Sequence, residues 1–435
     1  MGRSACGALA FLIAATTAAV AAEPSDYRKM LDVLQITSVR PGADGMNPKA
    51  PNAVNYDESR VGTLPLPDPL KANDGTPITT KAAWWGKRRA EIVELFDREV
   101  YGRVPASLPA IRWERKPAEP RNASSGSEHL IGHADNSAYP QVTVDIAMDV
   151  TLPRDAKGPV PVVIVLSWTG KWANLPVPEG QGPDWRDQLL AAGWGYAELI
   201  PATIQPDDPK RLREGIIGLA SKGALRQPDQ WGALRAWAWG TSRAIDVLLT
   251  DHRIDGKRIA VAGHSRYGKA ALVAMAYDPR IAIGYISSSG AGGAKLLRRD
   301  FGEKLENLAG EGEHHWMAGN FIRYAGPETV ADLPVDTHEL IALCAPRPVF
   351  IGSGTKEAGD GWVDPRGMFL AAAAAGPVYR LLGEKDLGAT DFPPVGTALT
   401  EGRIGFHQHP FGHTIQPNWA TFISFAEAKF RASPP

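Results

Sequence analysis

At 435 residues, with 44% hydrophobic and 22% charged side chains, the chain has enough apolar sequence to bury a large core, as one α/β unit or as two smaller ones. Its formal net charge of −1, with no long basic run and no Cys/His finger spacing, gives no footing for a nucleic-acid partner. The 45 glycines and 36 prolines suit a loop-rich globular protein, not a fibrous or disordered one.

Residues 1–22, MGRSACGALAFLIAATTAAVAA, place an arginine near the start, an apolar run from Gly7 to Val20, and small residues before Glu23. This pattern predicts a signal peptide cleaved after Ala21 or Ala22, because the run is too short for a typical membrane span. No second such stretch follows, so no stable membrane insertion is expected, and the mature chain is expected to be secreted or periplasmic. Cys6 leaves with the leader, and Cys344 in LIALCAPRPVFIG then has no partner for an internal disulfide and reads as a buried small hydrophobe.

Residues 23–83, rich in Pro, Asn and Gly, show little periodicity and are expected to form an extension lying over a main domain of residues 84–435. In residues 84–101, WWGKRRAEIVELFDREVY, the positions Ile92, Phe96 and Val100 recur at helical spacing, which predicts an amphipathic helix. The alternation in QVTVDIAMDVTLP predicts antiparallel strands at the start of a sheet. VPVVIVLSW, GWGYAELI, RIAVAGHS, AIGYISSSG and PRPVFIGSG are short apolar runs, most of them separated by helix-patterned segments. That rhythm predicts a three-layer α/β sandwich around a largely parallel central sheet. WGALRAWAWGTSRAIDVLLTD and KAALVAMAYDP read as the helices flanking the RIAVAGHS strand.

A serine, Ser265, stands where that strand meets its following helix. In an α/β-hydrolase such a strand–turn–helix junction exposes a nucleophile at the C-terminal edge of the sheet. Gly263 fits the position two before the serine, but Tyr267 occupies the place where G-x-S-x-G has glycine, and glycine arrives only at Gly268. Taken alone, the string is equally compatible with a structural turn. Downstream, TKEAGDGWVDPRG supplies Glu357, Asp360 and Asp364 after a strand, and IGFHQHPFGHTIQPNW supplies His407, His409 and His413. Serine, then acid, then histidine is the order of an α/β-hydrolase triad. Asp360 is favoured among the acids because a short glycine-flanked loop can aim it inward; Asp364 and Glu357 stay open.

Three imidazoles within seven residues, His407 to His413, also have a metal-site composition. Alternate positions seldom converge without further ligands, so no metal and no cofactor are expected. His314 and His315 are expected on the surface or behind the site. Arg266 and Lys269 put two cations beside Ser265, where they either face the pocket or sit on the outer face of the helix and pair with solvent or acids.

GHSRYGK resembles the G-x-S-R-x-G-K motif of the glucuronoyl esterases, carbohydrate esterase family 15. WGALRAWAWGTSRAIDVL, SGAGGAKLLRR, HELIALCAPRPVFIGSG, GDGWVDPRG and GFHQHPFGHTIQPNW are similar to bacterial members, so the resemblance spans residues 84 to 425. It implies Ser265 as nucleophile, Arg266 as oxyanion stabiliser, Lys269 on sugar hydroxyls and His413 as base. Trp362 then matches the tryptophan lining the uronate pocket, and Glu303 the acid bonded to sugar hydroxyls, with Glu313 as its alternative. Fungal members carry the triad acid in a segment resembling ESGAGG, where this chain has ISSSGAGG with Ser288 and Ser289. Members lacking that glutamate are expected to use an aspartate after the later strand, which again selects Asp360.

The resemblance implies hydrolysis of the C6 ester of glucuronic or 4-O-methylglucuronic acid, on glucuronoxylan or a lignin–carbohydrate ester. Trp168 and Trp172 in LSWTGKW either pack on the sugar or alcohol or close the core under a loop. A carbohydrate O-acetyl esterase with the same triad, and a noncatalytic carbohydrate-binding protein of hydrolase fold, are the alternatives.

Overall fold

The structure is a computed structural model and describes residues 25–169 and 176–432. The expected signal peptide and Trp172 lie outside the described residues.

Ten strands form one sheet: β1 Ile111–Ala118, β2 Ser125–Ala134, β3 Asp145–Pro153, β4 Val160–Leu166, β5 Gly195–Leu199, β6 Ile254–His264, β7 Ile283–Ser287, β8 Val349–Ser353, β9 Ala398–Leu399 and β10 Ile404–Gln408. Their spatial order is β1-β2-β3-β5-β4-β6-β7-β8-β10-β9. The run from β5 to β10 is parallel, while β1 to β3 and β9 are antiparallel. The parallel strands read as continuous apolar runs because both sheet faces are covered. In β4, for example, Val162, Ile164 and Leu166 pack into one core, and Val163 and Val165 into another on the opposite face. β10 is not among the expected strands, since Gly405, His407 and Gln408 interrupt its apolar pattern.

One face is covered by the helices Ala233–Leu248, Arg266–Tyr277, Thr337–Leu343 and Pro365–Ala374. The other packs Trp185 and Leu189, with Trp419, Phe422 and Phe425 of the C-terminal helix, against Tyr285 and Phe350. This is the α/β-hydrolase sandwich. The chain adds β5 outside β4 and then crosses back to β6, so the strand order reverses at β4, and the C-terminal strand ends beside such a reversal are where α/β sheets bind ligands.

The predicted helix at residues 84–101 forms as Arg89–Glu99, preceded by a wider turn over Trp84–Arg88, and it buries Ile92, Leu95 and Phe96. Residues before it are not wholly extended. Ser25 caps a helix, Asp26–Val33, by accepting from the Arg28 N–H, and Tyr27 and Met30 pack on Ile322.

Asp26 pairs with Arg226 at 2.8 Å, each side chain at most 4% exposed. Burial pushes the Asp26 carboxyl up, but the Arg226 charge and the bonds from His314 and Arg226 outweigh it and hold the group well below the carboxylate range. A depressed folded value contributes stability above the unfolded value, lost as pH falls through the folded one. Asp26→Ala, which strands a buried guanidinium, is therefore expected to cost about 3–5 kcal/mol at neutral pH. The deficit against wild type should shrink below about pH 4. Denaturant midpoints of both proteins at the two pH values check this; an unchanged midpoint at neutral pH contradicts it.

Beyond this helix, residues 43–55 hold two loops from later in the chain. The Ala43 N–H donates to Asn307 Oδ1 (3.0 Å) and Asn307 Nδ2 donates back to the Ala43 carbonyl (2.9 Å). Asn55 Nδ2 donates to the Asp300 carbonyl (2.7 Å), and the Gly302 N–H donates to the Asn55 carbonyl (3.0 Å). Gly45 lies so close to Trp362 that a Cβ there would meet the ring at 2.9 Å. These loops carry Glu303, Asp360 and Trp362.

Candidate active site

β6 ends at His264, and the helix Arg266–Tyr277 starts directly after Ser265. Between them Ser265 has φ 57° and ψ −131°, a region that a non-glycine residue enters only when its surroundings impose it. Its N–H donates to the Ser287 carbonyl at 2.9 Å, tying the turn to β7. The glycine pattern follows from this turn. A Cβ on Gly263 would lie 2.1 Å from the Tyr267 carbonyl oxygen, and one on Gly268 would lie 2.8 Å from the Ser287 carbonyl oxygen. The close approach that G-x-S-x-G relieves at its last glycine thus falls one residue later here. Tyr267 is free to be large, and its buried ring packs on Trp168 (4.5 Å between centroids) and Trp237 (5.3 Å).

Asp360 lies in the turn after β8 and is fully buried. His413 Nδ1 donates to its Oδ1 at 2.6 Å, while Ser288 Oγ (2.7 Å) and the Gly354 N–H (2.6 Å) donate to its Oδ2. Ser288, from the ISSSGAGG segment, therefore donates to Asp360. The competing acids are used elsewhere. Glu357 is exposed; Asp364 is ion-paired to Arg299 (2.8 Å) and caps the helix Pro365–Ala374 through the Gly367 N–H (2.9 Å).

The histidines separate in the same way. His407 donates from Nδ1 to Asn418 Oδ1 (2.6 Å), and His409 from Nε2 to the Thr414 carbonyl (3.0 Å). Among the described residues no group of three or more His, Cys, Asp or Glu side chains is placed to hold a metal ion. The His413 ring lies 4.2 Å from that of His264, the neighbour of Ser265, which brings the Asp360–His413 pair to the strained turn. His264 shares a hydrogen bond with Ser287 Oγ (3.1 Å); enclosure, then the nearby His413 and His409, push its imidazole well below its ordinary range. Cys344 is buried, which raises its thiol to about 11 and leaves it chemically quiet.

Lys269 is buried, Arg266 is partly exposed, and each is paired with an acid. Arg266 Nη1 donates to Asp207 Oδ2 (2.7 Å), and its guanidinium lies 5.5 Å from the Trp168 ring and 5.0 Å from the Trp316 ring. Asp207 also accepts from His315 Nε2 (3.0 Å) and Trp316 Nε1 (2.7 Å). Burial raises the Asp207 carboxyl, but these bonds and the Arg266 charge prevail and hold it at about 2. Lys269 Nζ donates to the Ala291 carbonyl (2.6 Å) and to Glu303 Oε2 (2.7 Å), and both side chains are nearly inaccessible. The Glu303 N–H donates to the Trp362 carbonyl (2.7 Å). One bonded wall therefore runs from Lys269 through Glu303 to the partly exposed Trp362, and Glu303, not Glu313, is the acid bonded to Lys269.

Of the two positions expected for His314 and His315, the surface is excluded, since each is 2% exposed: His314 sits on Asp26, and His315 lies behind Arg266 on Asp207. Asp207 and Trp316 are absent from the sequence reading. ATIQPDDPK carries no motif, and only the approach of a loop more than 50 residues upstream of Arg266 gives Asp207 its part.

The family model "Glucuronyl esterase, fungi" matches residues 225–383. Carbohydrate esterase MZ0003, from an unknown prokaryotic organism, is 35% identical over 433 aligned residues, which cover 92% of this chain and 97% of that protein. The 4-O-methyl-glucuronoyl methylesterase 1 of Wolfiporia cocos is 29% identical, covering 74% of this chain and 73% of its own. Among solved structures, a CE15 glucuronoyl esterase from Teredinibacter turnerae superposes with a TM-score of 0.87 at 44% identity, covering 93% of this chain and 99% of that one. A glucuronoyl esterase from Solibacter usitatus gives a TM-score of 0.76 at 33% identity, over 86% of this chain and 100% of its own. With its elbow serine, the acid-paired Arg266 and Lys269 beside it, and this likeness over nearly its whole length, the chain belongs to the glucuronoyl esterases of carbohydrate esterase family 15.

Proposed function

We infer that the protein is a serine carboxylic ester hydrolase that cleaves the C6 ester of glucuronic or 4-O-methylglucuronic acid. The observation that carries this is the hydrogen-bonded Asp360–His413 pair lying against the strained elbow that presents Ser265. Ser265 Oγ attacks the ester carbonyl carbon, His413 takes its proton, and Asp360 holds the imidazole in the tautomer with a free Nε2. Collapse of the tetrahedral intermediate breaks the C–O bond to the alcohol, which leaves with the proton from His413. Water, deprotonated by the same histidine, then attacks the acyl carbon; the C–Oγ bond breaks, Ser265 Oγ regains the proton from His413, and the uronate leaves. The Arg266 N–H at the start of the helix and its guanidinium stabilise the oxyanion, and Lys269, Glu303 and Trp362 hold the sugar.

The natural substrate in this reading is an ester between glucuronoxylan and a lignin-type alcohol. The leader at residues 1–22, the arm at 23–83 and the catalytic unit at 84–435 belong to the same proposal, with the mature enzyme exported to the periplasm or beyond. No helix of the described residues is long and apolar enough to cross a membrane. Hydrolysis of benzyl glucuronate beside an acetylated xylooligosaccharide tests the substrate class. Uronate release with negligible acetate release supports the reading; acetate without uronate moves the protein to the acetyl esterases, and turnover of neither points to another substrate or a noncatalytic protein.

In this scheme Asp207 positions Arg266. Asp207→Asn keeps the shape but loses the ion pair, and is expected to lower kcat by about tenfold to a hundredfold, part of what a full oxyanion donor is worth. KM should change little, whereas a purely structural defect would lower the thermal midpoint with kcat per folded molecule unchanged.

A further inference from the structure

Two cations and three acids meet around this pocket. Lys269 is closed on Glu303 and Arg266 on Asp207, which leaves Glu313 as the acid without a cation of its own among the described residues. Glu313 stands on the turn before Trp316, whose ring lies over both cations, 5.0 Å from the Arg266 guanidinium and 5.8 Å from Lys269 Nζ. Its Oε2 is buried and has no hydrogen-bond partner among the described residues. A buried, unpaired carboxylate oxygen in a binding pocket calls for a functional account, because leaving it unpaired costs stability.

The charges facing Glu313 are Glu303, Lys269, Arg266 and Asp207; burial first, then Glu303, push its carboxyl up to about 7 against the pull of the two cations. Neighbouring His315 is held neutral by burial, and His314 is turned to Asp26. With both ion pairs closed, the ionised Glu313 adds one negative charge to the pocket beside that of Asp360. The ester that enters is neutral at C6, whereas the acid that hydrolysis creates there is an anion.

We propose that Glu313 is a product-release residue: its carboxylate repels the uronate anion formed in the pocket and leaves binding of the neutral ester untouched. This rests on the reading of the Lys269–Glu303–Trp362 wall as the uronate site. It assigns to one side chain the preference for ester over free acid that a hydrolase needs to avoid inhibition by its own product.

The test is the inhibition constant of free glucuronate against benzyl glucuronate hydrolysis at about pH 6 and about pH 8.5, either side of the Glu313 titration, for wild type, Glu313→Gln and Glu313→Asp. In wild type the constant is expected to rise with pH by on the order of tenfold more than in Glu313→Gln, the effect of one like charge at pocket distances. Every group other than residue 313 is common to all three proteins and cancels in the comparison. Glu313→Asp, which keeps the acid, should keep the extra rise and also serves if Glu313→Gln folds poorly. Glucuronamide, the neutral analogue, should show no difference between wild type and Glu313→Gln. Equal pH dependence of glucuronate inhibition in wild type and Glu313→Gln overturns the proposal, as does an equal difference with glucuronamide. Calorimetric binding of glucuronate to Ser265→Ala and to Ser265→Ala/Glu313→Gln reads the same difference without turnover. Failure of the wild type to hydrolyse any glucuronate ester would instead overturn the functional reading.

Discussion

Ser265→Ala is expected to lower kcat on benzyl glucuronate by about a millionfold, to the level left by binding and oxyanion stabilisation alone. The size follows from the role: without Oγ no acyl-enzyme forms, and His413 and Asp360 have no nucleophile to activate. The fold should not change. The φ of 57° at this position is imposed by the Ser265 N–H bond to Ser287 and by the approach of Tyr267 to Gly263, both of which alanine keeps. Single-turnover kinetics on the purified variant, with its thermal midpoint measured alongside, check both halves. Activity within tenfold of wild type would remove Ser265 from the mechanism.

Asp360→Asn is expected to cost about ten-thousandfold in kcat, and the structure supplies the reason. Three donors converge on this carboxylate: His413 Nδ1–H on one oxygen, Ser288 Oγ–H and the Gly354 N–H on the other. An amide has one accepting oxygen. If it serves Ser288 and Gly354, the NH2 group faces Nδ1 and favours the imidazole tautomer that carries its proton on Nε2, which cannot take the serine proton. If it serves His413, the NH2 group meets the Gly354 N–H, a buried donor left unpaired at about 1–3 kcal/mol. The first arrangement loses only Coulomb attraction and an exposed histidine's preference, so it should prevail. Nitrogen NMR of His413 in the variant checks the tautomer, and kcat checks the consequence; an unchanged tautomer with near-native kcat would assign the triad acid elsewhere.

The acid also shows where sequence reasoning stops. Glu357, Asp360 and Asp364 lie within eight residues on one segment after one strand, and nothing local ranks them beyond the flanking glycines. The choice falls to partners distant in the chain: His413 and Ser288 for Asp360, Arg299 for Asp364, and solvent for Glu357. The histidines divide likewise, since Asn418 claims His407 and the Thr414 carbonyl claims His409.

What the sequence determined by itself is what short-range physics writes into it. Runs such as VPVVIVL read as strands covered on both faces, the spacing of Ile92 and Phe96 makes a helix, and a serine between Gly263 and Gly268 at a strand–helix junction marks a tight turn. The tertiary structure alone decided the place of β5 outside β4, the pairing of Arg266 and Lys269 with acids, the enclosure of His314 and His315, and the parts of Asp207 and Glu313. Each of these depends on which distant segment supplies the neighbour. A side chain's charge and hydrogen bonding are set within a few ångströms, and those ångströms are filled by residues that the order of the chain keeps far apart.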